Sequence, residues 1–323
     1  MRVLSGIQPS GNLHLGNYFG MMKRMVDYQD HHELYCFIVN YHALTTLQDA
    51  KALRTQTLYA AADFLALGLD PKKAVFWVQS DVPEVTELAW ILSNLTGMGL
   101  LERCHSYKDK IAQGLKPHHG LFAYPVLMAA DILIMGGERV PVGNDQKQHL
   151  EVAQDIAEKF NRVYGEIMTV PEPDICAEAG ILSGTDGRKM SKSYGNTIEI
   201  FCDEKTLRSR VMGIKTDSTP VDEPKPVKNN PLYEIYAAFL DETGRAELRR
   251  RFEAPGLKYG DVKKELVEVI RNYFEPFRKR REALVQDESV VLAILREGAE
   301  RARATAHRTM QKIRKVVGID YRS

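Results

Sequence analysis

The sequence has little of what marks a secreted, membrane-bound or strongly charged protein. None of its apolar runs approaches the roughly 20 residues that a bilayer-spanning helix needs. Its 44 basic and 43 acidic residues leave a net charge of +1, which argues against nonspecific coating of nucleic acid. The chain leads directly into strand-like sequence, so we expect no signal peptide and no membrane association. These features favour a cytoplasmic location.

Cysteine is scarce as well, with four in 323 residues and no CxxC pair. This spacing suggests neither a zinc site nor a disulfide framework, so no metal site is expected. We expect reduced cysteines that pack inside a cytosolic protein. They are Cys36, Cys104, Cys176 and Cys202.

The first 150 residues alternate strand-like and helix-like segments. This alternation indicates a doubly wound parallel sheet with helices on both faces, whose ligands bind beyond the carboxyl ends of the strands. Strands are predicted at residues 3–7, 34–39, 74–78 and 139–142. Helices are predicted at about 18–29, 50–67, 84–95 and 121–135.

The alternation stops after about residue 200. Residues 219–231 carry four prolines and are typical of a loop. Only helical patterns follow, at about 232–241, 244–253, 258–284 and 288–316. The sequence therefore predicts an α/β domain at residues 1–200 and an all-helical domain at residues 201–323.

Basic residues cluster in the last quarter of the chain, at Arg249–Arg251, at Arg278–Arg281 and along residues 301–315. Such clusters can form a nucleic-acid-binding face on a protein with little net charge. Solvated helix faces balanced by nearby Glu are the alternative.

A glycine-rich turn follows the first predicted strand, where residues 11–20 read GNLHLGNYFG. Gly11 and Gly16 let the backbone approach a ligand closely. A helix that begins near Asn17 presents unpaired N–H groups that suit phosphate oxygens. His14 and Asn17 add side-chain donors. A tight turn without a ligand is the alternative, because many strand-to-helix turns are rich in glycine.

The segment RKMSKS at residues 188–193 strengthens the phosphate interpretation. Lys189 and Lys192 lie three residues apart in a polar loop, and their ammonium groups suit the phosphates of a nucleotide. A polar surface loop would be the better interpretation of an isolated K-x-x-K pair. The string KMSKS at this distance from an HLGN turn is much more specific.

Together the two segments resemble the HIGH and KMSKS motifs of the class I aminoacyl-tRNA synthetases. More narrowly, the chain resembles the bacterial tryptophanyl-tRNA synthetases over most of residues 1–215 and more loosely to its end. The stretches that carry the narrower resemblance are SGIQPSG at 5–11, YPVLMAADIL at 124–133 and VPVGNDQKQH at 140–149. The chain departs from the family pattern at Leu4, Tyr41 and Asn144, which affects the shape of the pocket more than the reaction.

Spacing alone also predicts an apolar slot. Tyr124, Met128 and Asp131 share one face of a helix, since they are four and three residues apart. Val140 and Val142 share one face of a strand. An apolar slot with a single carboxylate suits an indole ring with its one N–H donor. The alternative for Asp131 is a helix carboxylate paired with a Lys or Arg.

The resemblance implies a role for each matching residue. Asp131 would accept the indole N–H, and Asp145 would bind the ATP ribose unless it is a helix N-cap. The expected catalytic residues are His14, Asn17, Lys189 and Lys192. The expected tryptophan site comprises Leu4, Gln8, Tyr124, Met128, Asp131, Val140, Val142 and Gln146. The expected ATP site comprises Gln8, Pro9, Ser10, Gly16, Asn17, Gly143, Asn144, Asp145, Ile181, Lys189, Met190, Ser191, Lys192 and Ser193.

The implied activity is tryptophan–tRNA ligation. Tryptophan would react with ATP, accompanied by Mg²⁺, to give tryptophanyl-adenylate and pyrophosphate, and tryptophan would then pass to the 3′ end of tRNA(Trp). A Rossmann-like catalytic domain at residues 1–200 would bind ATP and the amino acid. The helical domain at residues 201–323 would hold the anticodon side of the tRNA. The resemblance also implies a homodimer.

Three other functions fit part of the sequence. A tyrosine-specific relative is disfavoured by the long MAADIL and GNDQKQH matches. A small nucleotidyltransferase would lack the helical C-terminal third and the KMSKS loop. An auxiliary or regulatory RNA-binding paralogue remains an alternative, although His14, Lys189, Lys192 and Asp131 are all intact.

Overall fold

A five-stranded parallel sheet forms the centre of the α/β part of the chain. The structure is a computed structural model that describes residues 1–9, 11–104, 114, 116–143, 147–175 and 182–321. Its strands are β1 (Arg2–Ile7), β2 (Glu33–Ile38), β3 (Val75–Val78), β4 (Arg139–Val142) and β5 (Glu172–Ile175). Their order is β3-β2-β1-β4-β5, with every neighbouring pair parallel. The predicted doubly wound α/β class is therefore confirmed.

The described residues also form thirteen α-helices, several of which begin at a side-chain cap. The side chains of Asp49, Asp203, Asn230 and Asp241 each accept a hydrogen bond from a backbone N–H of the first turn. The helices are α1 (Leu15–Asn17), α2 (Lys23–Tyr28), α3 (Asn40–Ala43), α4 (Ala50–Ala66), α5 (Glu84–Ser93), α6 (Met98–Glu102), α7 (His119–Ile134), α8 (Lys147–Tyr164), α9 (Glu204–Met212), α10 (Pro231–Ala237), α11 (Glu242–Glu253), α12 (Tyr259–Gln286) and α13 (Glu288–Val317). A π-helical turn, Tyr18–Met22, joins α1 to α2.

The chain divides into two compact units that differ from the boundary predicted at residue 200. Unit 1 comprises Met1–Ser10, Met25–Ala177 and Leu284–Ser323. Unit 2 comprises Gly11–Arg24 and Glu178–Ala283. The last helix therefore belongs with the sheet, and the HLGN turn belongs with the helical segment. The binding of tRNA by residues 201–323 stays a prediction.

The C-terminal residues belong to unit 1 because α13 packs against β3. A Cβ atom at Gly298 would lie 1.8 Å from the carbonyl oxygen of Phe76, so only glycine allows this approach. Ala302 and Ala306 on the same helix are fully buried. The guanidinium of Arg301 donates hydrogen bonds to the carbonyl oxygens of residues 71 and 74, at 3.0 and 3.1 Å. Helical periodicity predicts α13 but does not indicate this partner.

Unit 2 is held together by an aromatic cluster. The ring of Tyr18, just after the HLGN turn, lies 5.1 Å from the ring of Phe274 in α12, in an edge-to-face arrangement. The Tyr18 hydroxyl is also hydrogen-bonded to that of Tyr273, at 2.9 Å. Phe19 packs on Phe239 with ring centroids 4.9 Å apart. These contacts tie residues 11–24 to the helices of unit 2.

Two expectations from composition concern membranes and thiols. Among the described residues, no helix is both long and apolar enough to span a membrane. Cys36, Cys104 and Cys202 are buried and free, as expected, and burial raises the pKa of each thiol. Cys176 lies outside the described residues.

Candidate functional site

The HLGN turn and the KMSKS loop touch each other within unit 2. The backbone N–H of Gly16 points at the sulfur of Met190, at 3.3 Å. A Cβ atom at Gly16 would lie 3.2 Å from the Cβ of Met190, so the absence of a side chain permits this contact. The N–H of Leu15 also donates to the carbonyl oxygen of Ile198, at 3.0 Å. The two predicted phosphate-binding segments therefore form one surface.

His14 is a neutral imidazole on this surface. Its side chain is buried, and its Nδ1 atom has no hydrogen-bond partner. Burial, and secondly the positive charge of Lys192, lower its pKa to about 4. Near neutral pH the ring can therefore donate a single N–H bond to an anionic oxygen without carrying charge.

Lys192 extends over the same turn. Its ammonium nitrogen lies 3.5 Å from the position that a Cβ atom would take at Gly11, whose φ is +53°. The side-chain oxygen of Asn17 accepts the backbone N–H of His14, at 3.2 Å, which orients the Asn17 side chain. Lys189 and Ser193 are exposed, whereas Met190 is buried. The loop thus presents its two lysines and is anchored through Met190.

Asn196 holds the KMSKS loop through side-chain hydrogen bonds, and the sequence analysis did not predict it as a site residue. Its amide nitrogen donates to the Asp186 carboxylate at 2.7 Å and to the Lys189 carbonyl at 3.0 Å. Its side-chain oxygen accepts the N–H of Ser191, at 2.8 Å. A Cβ atom at Gly184 would lie 2.2 Å from the same amide nitrogen, so the loop closes tightly on Asn196. The hydrogen bond from Asn196, followed by those from Arg188, lowers the pKa of Asp186 to about 2.

Asp131 lies buried in unit 1 with a defined set of partners. The side-chain amide of Gln79 donates to both carboxylate oxygens, at 2.9 and 2.8 Å. The Nε2 atom of His42 lies 2.9 Å from one of those oxygens. Burial raises the pKa of Asp131, while the hydrogen bonds from His42 and Gln79 act in the opposite direction. These partners replace the Lys or Arg of the alternative interpretation.

Neither Gln79 nor His42 was predicted as a site residue. Gln79 follows β3 directly, and its side-chain oxygen accepts the backbone N–H of Tyr41, at 3.0 Å. His42 lies in α3, just after β2. Both therefore follow the carboxyl ends of adjacent strands, where ligands of parallel sheets bind. Their positions just after two predicted strands could have identified them as candidate site residues.

The other predicted tryptophan-site residues lie in the core of unit 1 or at its margin. Leu4, Val140 and Val142 are buried in one continuous core, and Met128 packs against it. The Tyr124 hydroxyl is hydrogen-bonded to Nε2 of the buried His149. β1 and β4 are adjacent strands, so Gln8 and Pro9 after β1 and Gly143 after β4 lie at the same carboxyl edge. Five predicted site residues lie outside the described residues: Ser10, Asn144, Asp145, Gln146 and Ile181.

The described part of the chain offers no ready metal site, since it contains no group of three or more His, Cys, Asp or Glu side chains that could hold an ion. Its chemistry consists instead of a cationic surface with a neutral imidazole in unit 2, and a buried carboxylate beside an apolar core in unit 1. The first suits the phosphates of a nucleotide. The second suits an apolar ligand with one N–H donor.

Comparisons with known proteins identify the family of this chain. The family described as tRNA synthetases class I (W and Y) matches residues 1–275. The tryptophan–tRNA ligase of Campylobacter jejuni (strain RM1221) is 53% identical over 319 residues, which cover 99% of this chain and 100% of that relative. The tryptophan–tRNA ligase of Fusobacterium nucleatum is 51% identical over 319 residues and 98% of each chain. A crystal structure of Campylobacter jejuni tryptophanyl-tRNA synthetase complexed with ADP and tryptophan matches with a TM-score of 0.93 at 53% identity, over 98% of this chain and 100% of that one.

Proposed function

This chain belongs to the class I tRNA synthetases for W and Y, and we infer that it is a tryptophan–tRNA ligase. The observation that carries the choice of tryptophan is the identity of more than half of its residues to full-length tryptophan–tRNA ligases. The buried Asp131 supports the same choice, because indole offers one N–H donor to an acceptor in an apolar slot. ATP, tryptophan and tRNA(Trp) are its substrates.

The reaction has two steps. In the first, a carboxylate oxygen of tryptophan bonds to the α-phosphorus of ATP, and the bond from that phosphorus to the bridging oxygen breaks to release pyrophosphate. In the second, the terminal ribose hydroxyl of the tRNA attacks the aminoacyl carbonyl carbon, loses its proton, and AMP leaves. The carboxylate is already ionised, so the first step needs alignment and charge stabilisation rather than a general base.

We assign the phosphate role to the surface formed by the HLGN turn and the KMSKS loop. Lys189 and Lys192 are exposed ammonium groups on a loop whose backbone is held by Asn196. Negative charge grows on the pyrophosphate as it departs, and fixed cations stabilise that charge more than they stabilise bound ATP. The neutral His14 adds one hydrogen-bond donor. ATP is accompanied by Mg²⁺ as part of the substrate, which neutralises phosphate charge.

We assign the indole role to Asp131. Its oxygens are held by Gln79 and His42, so the carboxylate is fixed in orientation before the ligand arrives. Leu4, Met128 and the two valines of β4, which share one apolar core, are proposed to contact the indole ring. Gln8 and Tyr124 are proposed to hold the amino and carboxylate ends of tryptophan, together with Gln146.

A homodimer and a cytoplasmic location complete the proposal, and both rest on the resemblance. Large apolar side chains on the surface of unit 1 support the homodimer. Trp90 in α5 is 72% exposed and Met98 in α6 is 63% exposed, and a second copy of the chain would bury such groups.

ATP–pyrophosphate exchange measured with each of the twenty amino acids tests the function. We expect exchange that depends on tryptophan and is far weaker with tyrosine and phenylalanine. Exchange that prefers tyrosine would identify a tyrosine-specific relative. Absence of exchange with all twenty, in a folded protein that still binds tRNA, would identify an auxiliary or regulatory paralogue.

Asn196→Ala should lower the rate of pyrophosphate exchange about tenfold and leave the KM for tryptophan nearly unchanged. The substitution removes three hydrogen bonds that hold the KMSKS loop, each contributing about 0.5–1.5 kcal/mol. Lys189 and Lys192 would then be less well positioned for the phosphates. Steady-state exchange kinetics with varied tryptophan and varied ATP measure both constants.

Asn94→Ala is the matched control, because Asn94 is exposed at the end of α5 and, among the described residues, its side chain bonds only to the carbonyl of Trp90. It should leave exchange unchanged. An Asn196→Ala enzyme with normal kcat, or with a raised KM for tryptophan alone, would contradict the assigned role of the loop.

A further inference from the structure

The second half of α13 is basic and contains no acidic residue. Residues 301–317 include six Lys or Arg residues and no Asp or Glu. Three of the six have partners in unit 1. Arg301 donates to the carbonyls of residues 71 and 74, Arg303 donates to the carbonyl of Asp81, and Arg314 is paired with Glu87.

Arg308 and Lys312 differ from these three, because in the described part of the chain neither side chain is hydrogen-bonded or ion-paired to a group outside α13. Both are exposed and lie one helical turn apart, and among the described residues no carboxylate pairs with either. The Arg308 guanidinium donates to the hydroxyl of Thr305, at 3.1 Å. Like charges at this spacing repel and weaken a helix. An anionic ligand would relieve that repulsion.

These two side chains line a cavity of about 380 Å³. Its other lining residues are Arg2, Thr305, Thr309 and Gln311. All six side chains carry N–H or O–H donors and none carries a carboxylate. The charge of Arg2 is compensated by its ion pair with Glu33, at 3.0 Å, so Arg308 and Lys312 supply the net positive charge.

The cavity is built on rigid elements. Arg2 lies in β1 and is fixed by Glu33 and by the carbonyl oxygen of Met135. Thr305 is only 5% exposed, and its hydroxyl is hydrogen-bonded to that of Tyr35 in β2, at 3.1 Å. Met310, on the same stretch of α13, is fully buried. The side chains of Arg2 and Thr305 are therefore held in place before any ligand binds.

We propose that this cavity binds a phosphoryl group through Arg308 and Lys312, and that the group is a phosphodiester of the RNA substrate. A guanidinium, an ammonium and neutral donors in one concavity match the charge and the several oxygens of a phosphate. The cavity is larger than one phosphate requires, and Lys315 is exposed three residues beyond Lys312. Both features fit a chain of phosphates better than a single small anion. The proposal rests on the proposed function, which supplies tRNA as a substrate.

The test is a charge-neutralising double variant, Arg308→Gln with Lys312→Gln. Both residues are exposed, and glutamine keeps a polar side chain on the helix. Binding of a tRNA(Trp) transcript is measured by fluorescence anisotropy across a salt series. We expect affinity to fall about tenfold or more and the slope of log K against log salt to flatten by about 2, one for each lost phosphate contact. Pyrophosphate exchange should stay normal.

A control removes the same charge elsewhere in unit 1. Lys51→Gln with Lys72→Gln neutralises two exposed lysines that do not line the cavity, and it should leave the salt slope unchanged. Equal losses in the two double variants would overturn the proposal, because they would indicate a diffuse charge effect. Unchanged tRNA binding in the Arg308, Lys312 variant would overturn the RNA assignment.

A second measurement separates the two sources of phosphate. Titration of wild type and variant with inorganic phosphate, followed by NMR shifts of backbone amides in α13, reports on the free anion. Loss of phosphate binding together with loss of tRNA affinity supports the proposal, whereas loss of phosphate binding alone makes the cavity a small-anion site and overturns the RNA assignment. Failure of the proposed function would differ from all of these, because wild type would then show no tryptophan-dependent exchange.

Discussion

Replacing Lys192 with alanine should slow pyrophosphate exchange by about 10²-fold or more, the scale for losing one preorganised donor to a developing charge. The affinity for tryptophan should be almost unchanged. The ammonium of Lys192 lies over the HLGN turn in unit 2, where the phosphates are proposed to bind. Its contribution appears chiefly as charge develops on the departing pyrophosphate, so it affects kcat more than binding.

The same variant gives a second readout that does not depend on catalysis. Lys192 is one of the two causes that lower the pKa of His14 to about 4, the other being burial. Lys192→Ala should therefore raise that pKa, measured by NMR titration of the His14 ring. Lys205→Ala, which removes an exposed lysine on α9, should change neither quantity. A normal exchange rate in Lys192→Ala would rule out the phosphate role.

Replacing Asp131 with alanine should raise the KM for tryptophan and lower kcat/KM. The fall should correspond to a loss of transition-state stabilisation of about 1.5–3 kcal/mol, the scale of a hydrogen bond to a charged group. A site built around one substrate hydrogen bond can reject the analogue that lacks it by about 10⁴-fold. Phenylalanine offers no such donor, and tyrosine places its hydroxyl elsewhere. Activation of phenylalanine should therefore fall much less, or rise, because the substitution removes a buried carboxylate.

The measurement is kcat/KM in pyrophosphate exchange for tryptophan, tyrosine and phenylalanine, with wild type and variant compared. Asp131→Ala also leaves the side chains of Gln79 and His42 without their shared acceptor, so thermal unfolding must be recorded beside the kinetics. Equal losses for all three amino acids would make Asp131 a structural residue. A loss confined to tryptophan supports the indole assignment.

The strands that could be predicted carry either a run or an alternation of apolar residues. The run predicted at residues 34–39 is β2, Glu33–Ile38, because a strand buried on both faces needs continuous hydrophobicity. β5 was missed because its four residues are Glu-Pro-Asp-Ile, which offer neither an apolar run nor alternation. It is a strand because it pairs with β4, and that pairing is tertiary information.

The site residues also divide into those that local spacing predicts and those that only the fold brings together. Asp131 is predictable because its helix neighbours Tyr124 and Met128 fix the face on which it lies. Gln79 and His42 contact Asp131 across 52 and 89 residues of sequence, so no local spacing links them to it. Asn196 acts on a loop only a few residues away, yet its role depends on the fold of that loop rather than on a periodic pattern.

The placement of α13 has a consequence for synthesis on the ribosome. The ion pair between Glu87 and Arg314 joins residues that lie 227 positions apart. At the usual elongation rate of about 5–20 residues per second, the second partner emerges roughly 10–45 s after the first. During that interval the surface of β3 that α13 covers has no partner in the nascent chain. Unit 1 therefore completes its core late in translation, after α13 has left the ribosome.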